Sequence, residues 1–219
     1  VIFADRCGIK RKIGNITQYS SIMGEVMEEE LWQQGKHDES RLRHDINNFN
    51  LLLHFLGRPP RYWGAPQKAV AWNKYRMSIC ESLGEGRGVP PAWLGFYAST
   101  CFRTACALFG CGEKEEGYKY LDRAFELFPK WAEIPDGELL EVGNEQIFAG
   151  IKVVKGKGLI ELPDGKREPL QYSWLFDDSI GLLYYGMTAP HGWEWFNGVR
   201  NEERFKAAIE RARKLMENK

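Results

Sequence analysis

His191 and Glu194 stand three residues apart in the segment HGWEWF, with the acidic pair Asp177–Asp178 not far upstream. An imidazole and a carboxylate brought together can share proton transfer, because histidine changes charge close to neutral pH. Nothing in the spacing ties these four groups to one helix face or one pocket. A tryptophan-rich loop carrying one histidine serves as readily as a lid over a core. A small enzyme using His191 and Glu194 is therefore the lesser reading.

A second pattern is a polar stripe. Arg43, Asn47, Asn50 and His54 follow at spacings of four, three and four, which sets them along one side of a helix. Asparagine is a poor helix former because its side chain competes for backbone hydrogen bonds, so two on one face ask for an explanation. They either line a groove and hold a peptide backbone or carboxylate, or make an ordinary solvated face. Common amphipathicity favours the solvated face. His37 and His44 are seven residues apart, about two helical turns or roughly 10 Å, too far for one ion. No HExxH or calcium-loop pattern occurs, and the runs GEGRG and KGKG lack the frame of a phosphate loop. No metal or cofactor is expected.

Composition bounds the remaining choices. The 219 residues carry 30 basic and 30 acidic side chains, a formal net charge of zero. That removes the electrostatic footprint of a direct nucleic-acid binder or a polybasic membrane anchor. Eight Trp, nine Tyr and twelve Phe supply either a bulky core or a contact surface. No apolar run approaches the ~20 residues needed to cross a bilayer. The five cysteines include no CxxC pair, and their apolar neighbours point to reduced, buried thiols in a cytoplasmic protein. Cys101, Cys106 and Cys111 are five apart, a rotation of roughly 500° per step, so neighbouring sulfurs leave different helix faces.

The elements that must position these groups read as mostly helical. Residues 1–19, broken by Gly8, Gly14 and Asn15, are taken as an N-terminal arm; the start at Val1 leaves a truncated upstream segment open. A helix is expected from Ser20 to Gly35. Another starts at Asp38 with Leu42, Ile46, Phe49, Leu53 and Leu56 on one stripe, stopped by Gly57 and Pro59–Pro60. A third runs from Pro66 to Leu83 and, being apolar over most of its circumference, is expected to be central. Gly84–Pro91 is expected to be the most flexible linker. A fourth helix covers Pro91–Phe109 and a fifth Lys114–Trp131, with Gly112 at the turn and Pro129 ending the unit. Ala105, Gly117 and Ala124 let these two approach, while Leu108, Tyr120, Leu121 and Phe125 fill the space around them.

Gly112, Glu113, Glu115–Glu116, Gly117, Leu121, Ala124 and Pro129 fall where a tetratricopeptide repeat wants them, so residues 98–131 resemble one unit of that family. LWQQGKHDES, Leu31 to Ser40, echoes the turn more faintly. Cys101, Thr104 and Leu108 depart from the usual Trp, Leu and Tyr, and Gly117 from the usual Ala. The resemblance implies a superhelix of antiparallel hairpins. It also implies a concave groove lined by Ser99, Phe102, Arg103, Cys106 and Phe109. Arg103 is the residue expected to grip a carboxylate there through two parallel hydrogen bonds, with a structural ion pair as the alternative.

After Asn144 the texture changes. Ile147–Tyr172 is β-branched and broken by Gly156, Gly158 and Pro163-Asp164-Gly165. It is expected to form a hairpin through a type I turn with positive φ at Gly165, and to gain a third strand from Ile147–Val154. A final helix near Asn201 turns Phe205, Ala208, Ile209, Ala212 and Leu215 inward. The expected fold is thus mainly α: helical hairpins over residues 20–145, then over 146–219 a small β-hairpin or meander and a packing helix. The favoured function is a non-enzymatic module binding a peptide or protein partner. The alternative is a peptide- or ligand-sensing domain of a bacterial transcriptional regulator.

Overall fold

The structure, a computed structural model, describes residues 46–49, 51–53, 64–148, 150–170, 180–189 and 191–217. The chain divides into two compact units, Val1–His44 and Asp45–Lys219, and every described residue belongs to the second. The expected arm, the Ser20–Gly35 helix, the Leu31–Ser40 echo, His37 and His44 lie outside the described residues. Residues 46–49 and 51–53 are helical, as the stripe required, with Ile46 and Leu53 fully buried.

Three long helices hold the centre of this unit: α1 (Pro66–Ser82), α2 (Leu94–Gly110) and α3 (Lys114–Glu133). Helix α2, not α1, is the central one. From Gly95 to Phe109 every residue of α2 except Arg103 is buried, because that stretch contains a single charged side chain. Helix α1 buries Ala69, Asn73, Arg76, Met77 and Cys80 along one face only. Its lysines, serines and Glu81 return the other face to water.

The turn between α2 and α3 closes at Gly112, whose φ of +80° suits glycine. Opposite ends of the two helices then meet. An added Cβ on Gly95 would stand 2.8 Å from the Trp131 ring, and one on Gly117 would stand 2.8 Å from Phe109. Ala105 and Ala124 are completely buried between them. Pro129 does not end α3, which continues one further turn to Glu133. The proline removes one backbone donor, but Phe128 and Trp131 on either side are buried, and their packing holds the last turn in helical form.

The segment after α1 is a knit turn rather than a loose linker. Leu83 O accepts from Asn144 N at 2.9 Å, and an added Cβ on Gly143 would come within 2.4 Å of that same oxygen. Only glycine permits this approach. A 3-10 turn, Pro91–Trp93, leads into α2, and Trp93 Nε1 donates to Val142 O at 2.9 Å.

Four short strands follow in an antiparallel meander: β1 (Leu139–Glu141), β2 (Lys152–Val154), β3 (Leu159–Glu161) and β4 (Arg167–Pro169), in that spatial order. The β3–β4 turn has the expected form. Gly165 N donates to Leu162 O at 2.9 Å, and Gly165 has φ +84°. Two features differ from expectation. β1 opens the sheet at Leu139, ahead of the boundary read at residue 146, and Glu145–Phe148 is a single helical turn rather than strand. Lys155 ties sheet to helix, donating to Ile134 O at the end of α3 with its ammonium 5.0 Å above the Trp131 ring.

The chain closes with α4 (Gly181–Thr188), a 3-10 turn at Glu194–Gly198 and α5 (Glu203–Glu217). Phe205 and Ala212 of α5 are buried, while Ala208, Ile209 and Leu215 are half-buried.

Candidate functional site

Helix α2 has two working faces. The first carries Ser99, Phe102, Arg103, Cys106 and Phe109, and the chain itself covers it. Phe102 is 0% exposed. Its ring centroid lies 5.0 Å from Trp193 and 5.4 Å from Phe196, and Gly186 of α4 sits so close that a Cβ there would be 2.6 Å from Phe102. Phe109 is enclosed by Tyr118, Phe196 and Phe205 at centroid distances of 4.9, 5.9 and 6.1 Å. Burial pushes the Cys106 thiol well above its ordinary range.

Arg103 is half-buried. Its Nε donates to Ser99 Oγ at 3.3 Å, and the guanidinium lies 5.5 Å from the centre of the Trp193 ring. The segment over this face is clasped by Arg200, whose guanidinium donates to Met187 O, to Ala189 O at 2.7 Å and to Trp193 O at 3.5 Å. The structure therefore brings two sequence candidates together. The face read as a groove and the HGWEWF segment meet, with Trp193 and Phe196 sealing the face.

The remaining candidates are dispersed. Glu194 is exposed and accepts from Gly192 N at 2.7 Å, a local turn bond, and His191 is exposed. Asn47 is half-buried; Arg43, Asn50 and His54, like Asp177 and Asp178, lie outside the described residues.

The second face of α2 looks toward the seam where α1 and α3 approach each other. Tyr97 rises from α2 and donates its hydroxyl to the Glu81 carboxylate of α1. Burial first, and then that hydrogen bond, push the Tyr97 phenol above its ordinary range. Nearer the other end of the seam, Lys74 of α1 places its ammonium 4.0 Å from Glu116 and 5.7 Å from the centre of the Tyr120 ring, both on α3. The Tyr120 phenol is also raised, by burial and then by Glu116. Arg123, one turn further along α3, is drawn to Glu126 at 3.0 Å. Below lies a sulfur layer in which Cys101 Sγ reaches Met77 Sδ at 3.7 Å. Desolvation raises both Cys80 and Cys101 to about 12, so they stay as inert thiols.

No family model, curated protein or solved structure matches the chain. Among the described residues no group of three His, Cys, Asp or Glu could hold a metal, and no helix is long and apolar enough to cross a membrane.

The sequence reading missed the seam because its members, Lys74, Glu81, Tyr97, Glu116 and Tyr120, come from three helices and share no local spacing. Tyr120 stood as filler between helices; it is half-buried, with its ring beside the Lys74 ammonium. The buried pair Asn73 and Arg76 escaped for the same reason. Arg76 Nη1 donates to Asn73 Oδ1 at 3.2 Å, and the guanidinium lies over Phe96 at 4.3 Å. One signal was available: polar residues spaced three apart on the buried side of α1.

Proposed function

We propose that this chain is a non-enzymatic binding module for a peptide or protein partner in the cytoplasm, with α2 and α3 as a tetratricopeptide-like hairpin. Support for the hairpin comes from the crosswise meeting of helix ends at Gly95–Trp131 and Gly117–Phe109. The free thiols of Cys80, Cys101, Cys106 and Cys111 accord with a reducing compartment. The contact surface shifts from the covered face of α2 to the seam between α1 and α3.

One observation carries this reading. Helices α1 and α3 carry open aromatic side chains beside charged ones: on α1, Tyr75, 55% exposed beside Trp72, and on α3, half-buried Tyr120 beside Lys74. Rigid amphipathic rings of this kind supply contact area at low entropic cost. Charged groups around them give orientation more than affinity.

The test is selection of random peptides displayed on phage against the immobilised chain. Enriched sequences should lose about tenfold in affinity to Tyr120→Ala or Tyr75→Ala and should be indifferent to His191→Ala. Enrichment of no sequence family, or binding that ignores both tyrosine substitutions, overturns the proposal.

A further inference from the structure

We infer that a cleft just beyond the C-terminal end of α1 holds a small zwitterion of the α-amino acid class. The cleft has a volume of about 90 Å³, several times the ~10–15 Å³ that a single water needs. Its lining comes from the Gly84–Pro91 segment after α1 and from Glu141 and Gly143 at the end of β1. Much of the wall is bare backbone. Gly84 lies so near Gly88 that an added Cβ would stand 1.5 Å from Gly88 O, and Gly143 packs as tightly against Leu83 O. Side chains are excluded at those two positions, so a ligand meets peptide groups at close range. Val89, Pro90 and Pro91 add an apolar strip.

Two charged side chains line the cleft, and they differ in sign: Arg87 from the segment after α1 and Glu141 from β1. A guanidinium grips a carboxylate through parallel hydrogen bonds, and a carboxylate receives an ammonium. Neither group is firmly held by its neighbours. Arg87 reaches Glu85 only at 3.7 Å, with the two side chains 68% and 43% exposed, an arrangement that contributes little. Glu141 stands in register with Lys152 of β2 without an ion pair, and it makes no side-chain hydrogen bond among the described residues. A ligand of one sign would satisfy one group and oppose the other. A molecule carrying ammonium and carboxylate together satisfies both.

Backbone strain gathers at the same place. Glu85 and Asn144, at φ +51° and +46°, are the two non-glycine positions in the left-handed region among the described residues, and they adjoin Gly84 and Gly143. Asparagine adopts that conformation readily; glutamate does not. Glu85 N donates to Ser82 O at 3.2 Å and Arg87 N to Gly84 O at 2.9 Å, which hold the turn in this form. Strain of this kind clusters at ligand clamps, and this turn carries the arginine of the cleft.

The experiment titrates the full chain, isotopically labelled, with L-alanine and follows amide NMR shifts. The amides of Gly84, Gly88 and Gly143 should move together, and Arg87→Gln or Glu141→Gln should each weaken binding about tenfold. Both side chains are exposed, so these variants should fold as the parent does. N-acetylalanine lacks the ammonium and alaninamide lacks the carboxylate; each should bind about tenfold more weakly or worse. L-phenylalanine, too large for the cleft, should not compete. Glu203→Gln and Lys206→Gln, an ion pair on α5, should change nothing. If N-acetylalanine or alaninamide matches alanine, a single charge suffices and the zwitterion is overturned. Competition by phenylalanine overturns the size class. Equal weakening by the α5 substitutions means diffuse charge attraction and overturns the site, as does the absence of shifts at the three glycines. Each outcome leaves the peptide-binding reading to its own test, because neither Tyr75 nor Tyr120 lines the cleft.

Discussion

The two faces of α2 solve one problem in opposite ways. Toward the C-terminal segment, Phe102 and Phe109 meet Trp193, Phe196 and Phe205, rings against rings, with Arg103 as the one charged side chain of α2 at that contact. Toward the seam, the same helix presents Tyr97, and its hydroxyl goes to a carboxylate rather than into an apolar layer. One helix is therefore buried on both sides, under rings toward the C-terminal segment and under a phenol–carboxylate hydrogen bond toward α1. The difference separates a contact made chiefly of rings from one made through a polar bond, with the open side chains over the second belonging to α1 and α3, and substitutions can test that separation directly.

The largest effect belongs to the ring-packed face. Phe196 is 0% exposed and touches Phe102, Phe109, Trp193 and Phe205. Phe196→Ala should cost about 3–5 kcal/mol, from lost transfer energy and the cavity left behind. Denaturant unfolding measures it, and a loss below about 1 kcal/mol would show that this face is not core. Gly186→Val probes the same contact from the other side. Its Cβ would fall 2.6 Å from a Phe102 ring that has no room to retreat, so about 1–3 kcal/mol is expected from overpacking.

The seam should respond more gently. Tyr97→Phe removes the donor to Glu81 while keeping the ring, for a cost of about 1 kcal/mol. Its pH signature is sharper than its size. The folded chain raises the Tyr97 phenol above its unfolded value of 10.0, so the associated stability is fully present below that value and is lost as pH rises toward the folded one. The gap in stability between the two proteins should therefore narrow in alkali; a gap that widens there contradicts the Tyr97–Glu81 pairing. Lys74→Met should change stability by less than about 0.5 kcal/mol, because its ion pair is open to water. A large loss would make Lys74 a structural residue of this face.

The same contrast explains what the sequence disclosed. Local chemistry was legible. Gly112 closes a turn because φ must be positive there, and Pro163-Asp164-Gly165 makes its hairpin for the same reason. Helix α1 was legible in extent but not in placement, since counting apolar residues around its circumference could not reveal which side α2 would cover. β1 was invisible. Leu139–Glu141 is three residues long and becomes strand only by pairing with Lys152–Val154. Both faces of α2 were similarly hidden. Whether Phe102 lines a groove or a core depends on Trp193, which lies ninety-one positions away in sequence. No spacing rule spans that distance.

The smallest expected effect lies at the rim of the ring-packed face, where Glu202 receives Lys114 Nζ at 2.6 Å and the Tyr118 hydroxyl at 2.8 Å. These donors, Lys114 first, hold the Glu202 carboxyl below its usual range. The folded chain thus prefers the ionised form more strongly than the unfolded chain does. Its contribution is present above the unfolded carboxylate value and disappears as pH falls through the folded one. Glu202→Gln should be slightly less stable than the parent at neutral pH and equal to it in acid. Paired denaturation curves at the two pH values decide the matter: a difference that grows on acidification would mean that Glu202 acts through packing instead of charge. Because this group is open to solvent, added salt should shrink the neutral-pH difference as well, whereas the Phe196→Ala loss on the same face should be indifferent to salt.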